Sequence, residues 1–554
     1  MPAIPNLRPD ADADRLARLE ERLARIESHL GLAGATAEAP VAPAVEPARV
    51  PPPGEEGEFE FEVGQKWFAR FGILALAVGG AFMLSLPYAR LPAAAPSVAG
   101  FVVAVGLFAL ARVWQQSFEL VANYVRGAGM ALLWFATLRL FFFGAQPALE
   151  IDSAGGRALL VLVTGLNFVI AFRRGSPPLA TLALTTSGIS AVAIGAAWPL
   201  VATIVVLAVV VAVVVRRQTW PLLWLTGTVL GPVVYFVWAI GNPVRGGAFH
   251  FMAEPRLAPA VFLGSVLVLA AGALLRGNRE DESMLDGVAA ALNAAFGYGV
   301  FLLHTAAAYP ADFVVAHGIA SVVFVGLASV FWFRNRSHAA TFFYAMTGYA
   351  ALSMAIIKAS AMPNVFVWLS LQSVVVVATA VWFRSRFIIV ANFLIYLAVV
   401  LGYVVLKERE TGISIGFGIV ALITARILNW QQDRLELKTE LMRNAYLFSA
   451  FVIFPYALYH LVPATYVGLA WVGLALVYYA LNLIVLSPKY RWMGHATLLL
   501  TAPYLVTVGT RRFEPVYRVL SFLVLGTVLL MVSLIFSWLR RRKSAKAPAA
   551  ETGA

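Results

Sequence analysis

The sequence predicts an all-α polytopic membrane bundle of about eighteen transmembrane helices, and three observations carry that prediction. First, 60% of the 554 residues are hydrophobic and only 13% are charged, where a soluble globular chain runs near a quarter charged. Second, from Phe68 to Leu539 apolar stretches follow one another with little between them. Each is about 20 residues long, the length that crosses a ~30 Å hydrocarbon core. Third, every second boundary between stretches carries a basic cluster: Arg112, Arg173-Arg174, Arg216-Arg217, Arg276 with Arg279, Arg334 with Arg336, and Arg384 with Arg386. The series continues through Arg426, Arg434, Lys438 and Arg443, then Lys489 with Arg491, and ends on Arg540-Arg541-Arg542-Lys543. Loops rich in Lys and Arg stay cytoplasmic, so the pattern predicts orientation as well as architecture.

Residues 1–32 read as a cytoplasmic amphipathic helix. Leu16, Leu19, Leu23, Ile26 and Leu30 recur at the three–four alternation of a coiled-coil seam. With Leu16 at position a, Arg15 and Arg22 fall at g and Glu20 and Glu27 at e, which suits parallel pairing. The seam is therefore a candidate contact with a second copy or a protein partner; the alternative is a helix lying on the membrane surface. Residues 33–62 are rich in Ala, Pro and Glu, and Pro51-Pro52-Pro53-Gly54 cannot be helical, so they read as a disordered tether and lead-in. The first apolar stretch lies too deep for a cleavable signal peptide and is expected to be an uncleaved anchor.

The membrane domain spans 63–540. Segments are expected near 68–88, 94–113, 120–144, 153–172, 178–195, 197–215, 220–240, 257–275, 285–305, 312–333, 338–358, 363–383, 387–405, 412–430, 443–461, 464–486, 492–509 and 516–539. The pair 178–215 is the least sharply divided, because only Ala196-Ala197-Trp198-Pro199 separates its halves. An even count returns the basic tail, 541–554, to the cytoplasmic side where the N-terminus lies. Trp332-Phe333-Arg334-Asn335-Arg336 and Trp382-Phe383-Arg384-Ser385-Arg386 recur 50 residues apart. That is the length of two crossings and two turns, so either the hairpins are duplicated, as in many transporters, or interfacial Trp and Arg recur independently.

The same reading excludes several functions. The net charge of +13 is spread over helix ends, with no basic face interleaved with aromatics, so nucleic acid is not an expected partner; membrane lipids are. Cysteine is absent, which removes disulfides, thiolate catalysis and cysteine-ligated metals. No Gly-rich loop ending in Gly-Lys-Ser/Thr is present, and no cofactor or metal-ligand set is legible. No Asp or Glu lies in the middle of a segment; Glu119, Asp286 and Asp312 sit near ends, which argues against carboxylate-driven cation transport.

Charged groups that topology does not require are the candidate site residues. Arg126 and Arg139 lie in the third segment and Arg157 near the start of the fourth, where they suit a phosphate or carboxylate. The alternative is snorkelling to the headgroups, and the 13-residue spacing puts Arg126 and Arg139 about 140° apart around a helix. Arg511 and Arg512 make one outward turn more basic than its position needs. The mixed turn Lys407-Glu408-Arg409-Glu410 reads as solvated. In the longest outward loop, Gly241 to Arg256, His250 and Glu254 would share one face if the loop were helical, a candidate acid–base pair. His304 is a further candidate for acid–base work, and His495 is a second histidine within an apolar run.

The lead-in Glu62-Val63-Gly64-Gln65-Lys66-Trp67-Phe68-Ala69-Arg70-Phe71-Gly72, followed by Gly79-Gly80-Ala81-Phe82 and Tyr88, resembles the bacterial predicted membrane proteins of domain-of-unknown-function family 2339. The resemblance implies a multi-pass integral protein and supplies no catalytic residues. Together with the Ala- and Arg-rich style it places the chain in a bacterial inner membrane. The leading functional expectation is transport or flipping of an anionic or lipid-linked envelope substrate. The alternatives are an assembly scaffold working through the N-terminal helix, and a membrane enzyme acting on a lipid at the outward face.

Overall fold

Sixteen α-helices succeed one another between Ala95 and Tyr504 in the computed structural model. It describes residues 79–531 apart from 82, 87, 89, 117–118, 144–145, 219, 277–283, 406–410, 431–438, 510–515, 518 and 529–530. The expected N-terminal helix, the tether, the Lys407–Glu410 turn, Arg511, Arg512 and the basic tail lie outside the described residues. The helices are α1 (Ala95–Val113), α2 (Glu119–Arg139), α3 (Ala154–Arg173), α4 (Pro177–Ile194), α5 (Ala197–Arg217), α6 (Pro221–Ala239), α7 (Ala258–Leu275) and α8 (Met284–Ala308). They continue as α9 (Phe313–Asn335), α10 (His338–Ala359), α11 (Asn364–Trp382), α12 (Arg386–Val405), α13 (Thr411–Trp430), α14 (Thr439–Leu461), α15 (Ala464–Val485) and α16 (Pro488–Tyr504). A shorter apolar helix, α17 (Val519–Val528), follows. No strand occurs among the described residues.

Each of the sixteen segments expected between residues 94 and 509 is one of these helices, and fourteen helices are long and apolar enough to cross a membrane. The chain is an all-α, multi-pass membrane protein whose outer surface meets lipid. The two helices outside the fourteen depart for visible reasons. Helix α2 carries Glu119, Arg126 and Arg139. Helix α16 has 17 residues, opens on Pro488-Lys489-Tyr490-Arg491 and continues as a π-helical turn, Leu505–Gly509.

Local chemistry sets the boundaries. Ser153 and Ser337 cap α3 and α10 by accepting the amides of Gly156 and Ala340, each at 3.1 Å. Proline opens α4, α6 and α16, where its missing N–H costs nothing. The uncertain stretch 178–215 is two helices, because Gly195 takes a left-handed φ of 69° and turns the chain within two residues. The basic clusters gather where odd-numbered helices end and even-numbered ones begin: Arg112, Arg173, Arg216, Arg217 and Arg334 all lie in last turns.

Helix α4 is the most enclosed, with 67% of its span buried, whereas α1 and α12 bury 28% and lie at the periphery. Without a hydrophobic drive between helices in lipid, close packing and polar contacts hold the bundle. At Gly272 on α7 an added Cβ would stand 2.6 Å from the Ala212 Cα of α5, and at Gly348 on α10 it would stand 3.0 Å from the Val325 amide nitrogen of α9. Only glycine permits either approach.

Asparagine–tyrosine junctions tie non-neighbouring helices. Asn293 on α8 donates to Val266 O of α7 and to the Tyr344 hydroxyl of α10, both at 3.0 Å. Asn392 on α12 repeats the device, donating to Ser373 O (3.2 Å) and Oγ (2.8 Å) of α11 and to the Tyr446 hydroxyl of α14 (3.0 Å). Asn392 follows Asn293 by 99 residues, one short of twice the 50-residue spacing of the Trp-Phe-Arg repeat, so the recurring device spans four helices.

Candidate functional site

Helices α10, α11 and α12 do not close on one another at mid-height. A cavity of about 240 Å³ remains, lined on its inner side by Tyr349, Ser353, Gln372, Ser373, Asn392 and Tyr396. Gln372 sits near the middle of α11 and is the only glutamine in a membrane helix among the described residues. Its Nε2 donates to Tyr349 O (2.8 Å) and Ser353 Oγ (3.0 Å), and Ser353 Oγ lies 3.2 Å from its Oε1. Ser353 also donates to Tyr349 O at 2.9 Å, and the Tyr349 hydroxyl bonds Thr379. Tyr396 donates to Phe417 O at 2.8 Å. Amides and hydroxyls thus converge on one space with no ionised group among its lining residues.

The cavity wall changes character toward the outside. Ile357 and Ile395 border it and are each 48% exposed, and Leu369 and Val399 are half-buried beside them. Ile395 lies midway along α12 and Ile357 near the end of α10, and exposed isoleucines on membrane helices meet acyl chains, so the cavity opens sideways into lipid. Such a space accepts an uncharged hydrogen-bonding group attached to an apolar chain. A second hollow of about 310 Å³, between α14, α15 and α16, is lined by Phe451, Pro455, Tyr456, Tyr459 and Trp471 and is almost wholly apolar.

The arginines expected to form a site do not come together. Arg139 is 3% exposed, and its guanidinium is spent on backbone: Nε donates to Leu84 O (2.5 Å), Nη1 to Phe142 O (3.2 Å) and Nη2 to Leu86 O (3.4 Å). It ties the end of the first apolar stretch, through the Leu84 and Leu86 carbonyls, to the chain just after α2. Arg126 is 5% exposed and donates from Nη1 to Asn123 Oδ1 at 2.6 Å, while its Nη2 has no hydrogen-bond partner. Arg157 pairs with Asp152 at 3.5 Å, and the structure adds Arg245, which reaches the other oxygen of the same carboxylate at 3.5 Å and donates to Ile194 O at 2.9 Å.

His250 and Glu254 do not share a helix face, because the segment carrying them is extended. Gly241, Gly246 and Gly247 and the cramped return past Ile240 and Ala239 give the chain a turn and an extended return in place of a helix. His250 Nδ1 donates to Ala248 O at 2.9 Å, and Glu254 pairs with Arg256 at 3.7 Å. His304 is 1% exposed and fully engaged: Nε2 donates to Met252 O at 2.7 Å, so Nδ1 accepts from the Tyr235 hydroxyl at 2.8 Å. It fastens the Gly241–Arg256 loop to α6 and α8. Tyr309 adds a bond to Ala253 O at 2.9 Å, and burial, reinforced by the Glu254 carboxylate, holds its phenol above the ordinary value against the pull of Arg256.

The tyrosine–histidine latch recurs. Tyr298 meets His317 Nδ1 at 3.0 Å, with His317 Nε2 on Thr305 Oγ1 at 3.0 Å, and Tyr479 meets His495 Nδ1 at 2.5 Å. Sequence reasoning missed His317 and every residue of the cavity. The available signal was a set of uncharged polar residues, Gln372 above all, inside uninterrupted apolar runs. No group of three or more metal-ligating side chains occurs among the described residues. Comparison with protein-family models, curated proteins and solved structures finds no match.

Proposed function

We propose that the protein translocates or flips a lipid-linked envelope substrate, with the cavity between α10, α11 and α12 receiving its polar part. One observation carries this reading: mid-membrane amides and hydroxyls face a space whose mouth is bordered by lipid-exposed Ile357 and Ile395. A polar group entering from the bilayer exchanges lipid for hydrogen bonds to Gln372, Ser353 and Asn392, while its chain stays among the acyl tails. The substrate's anionic part, where it has one, finds the unpartnered Nη2 of Arg126 or the Arg157–Arg245 pair, in which two cations share one carboxylate.

The setting proposed with this role is a bacterial inner membrane with both termini cytoplasmic. The concentration of Arg and Lys at one end of the helices supports it. The likeness of residues 62–88 to the family 2339 membrane proteins accords with this setting, although no family model matches the chain.

The test is purified protein in phospholipid vesicles loaded with a fluorescent polyprenyl-phosphate sugar lipid, with outer-leaflet label quenched chemically. Wild-type vesicles are expected to expose inner-leaflet label, and Gln372→Leu is expected to slow that about tenfold, the worth of one buried hydrogen bond at ~1.4 kcal/mol. Equal rates in wild-type, Gln372→Leu and protein-free vesicles would end this reading.

A further inference from the structure

At the basic end of the bundle, α13, α14 and the start of α16 form a cleft lined by Arg426, Asn429, Arg443, Ser487 and Tyr490. Arg443 is held rigidly. Its Nη1 bonds Asn429 Oδ1, its Nη2 bonds Glu440 at 3.1 Å, and its side chain is 13% exposed. Its Nε, however, is buried with no hydrogen-bond partner. Lys489 stands beside it, donating to Asn444 Oδ1 at 2.6 Å and sharing the same Glu440 at 3.5 Å. Arg426 adds a third cation and carries no hydrogen bond to a described residue.

Two cations therefore share one exposed carboxylate, and a third, Arg426, lines the same cleft. Like charges so close repel unless an anion enters among them. Among the described residues three donors have no hydrogen-bond partner: Arg443 Nε, the Arg426 guanidinium and the Ser487 hydroxyl, which makes no capping bond to α16. The cleft has room for little more than one oxygen-sized group, about 10 Å³. A bulky anion is excluded, and one phosphoryl oxygen fits while the remainder stays at the bilayer surface.

We propose that this cleft binds the phosphoryl group of an anionic phospholipid, with Arg426, Arg443 and Ser487 as donors and Lys489 alongside. The site is distinct from the α10–α12 cavity and does not depend on what that cavity carries. Its location among the basic residues puts it at headgroup level, where phosphodiester anions are concentrated.

The experiment uses the full-length protein in a zwitterionic detergent and follows its thermal midpoint during titration with phosphatidylglycerol, phosphatidylcholine or inorganic phosphate. Phosphatidylglycerol is expected to raise the midpoint, and phosphatidylcholine to do so far less. Arg426→Gln is an exposed change that spares the Arg443 bonds, and it is expected to raise the phosphatidylglycerol concentration needed by about fivefold. Arg334→Gln, an exposed basic-end change on α9 outside the cleft, is expected to leave it unaltered. Inorganic phosphate that competes in wild type and more weakly in Arg426→Gln would support the same phosphoryl site filled by free anion. No competition would support the lipid as occupant. Equal response to the two lipids, or an Arg334→Gln effect as large as that of Arg426→Gln, would overturn the proposal.

Discussion

Arg139→Met separates a structural arginine from a substrate-binding one. The side chain makes three bonds to backbone carbonyls, at 2.5, 3.2 and 3.4 Å, and is nearly inaccessible. The shortest is charge-assisted and worth about 2 kcal/mol. The two longer ones approach the limit of hydrogen-bond geometry and count at about 0.6 kcal/mol each, the average for interhelical bonds in membranes. Methionine keeps most of the apolar volume, so the expected loss is about 3 kcal/mol, with the Leu84 carbonyl left open. Equilibrium unfolding of purified protein in mixed micelles of increasing SDS fraction measures it. Arg139→Lys should recover no more than part of the loss, because an ammonium cannot span three carbonyls in the plane of a guanidinium. Unchanged stability in Arg139→Met, with transport lost, would refute the structural role and return Arg139 to the substrate.

Other changes probe the bundle and its loop. His304→Leu orphans the Tyr235 hydroxyl and the Met252 carbonyl, so a loss of about 2–3 kcal/mol is expected, with faster proteolytic nicking of residues 248–256 seen by peptide mass mapping. Gly272→Val drives a side chain into the Ala212 backbone and should abolish monodisperse elution, whereas Gly264→Ala, with nothing within 4 Å, should elute as wild type. Gln372→Leu should cost under about 1.5 kcal/mol in the same unfolding assay while removing most transport, since its bonds are few but its position is central.

The architecture was legible in the chain because its determinants are local. Apolar runs near 20 residues, with Pro177, Pro221 and Pro488 opening helices and Gly195 closing one, need no tertiary knowledge. The site was not, because it depends on which helices lie side by side. Asn293 and Asn392 read as isolated polar residues until α10 and α14 supply Tyr344 and Tyr446, and Gln372 gains meaning only from Ser353 on the neighbouring helix. Charge misdirected attention in the same way. Arg139 invited an anion, yet carbonyls more than 50 residues earlier in the chain occupy it. His250 and Glu254 were paired by helical spacing in a segment that is not helical.

The central claim is that lipid-borne material enters between α10, α11 and α12, and photo-crosslinking tests it most directly. Wild-type protein is reconstituted with a phospholipid carrying a photoactivatable group near the head end of its acyl chain, irradiated, digested and mapped by mass spectrometry. Adducts should concentrate on Ala350, Ser353, Ile357 and Ile395, and Ser353→Trp, which fills the cavity, should remove them. Adducts spread evenly over the lipid-facing surface, as frequent at Leu162 or Val322 as at Ile395 and unaffected by Ser353→Trp, would contradict it.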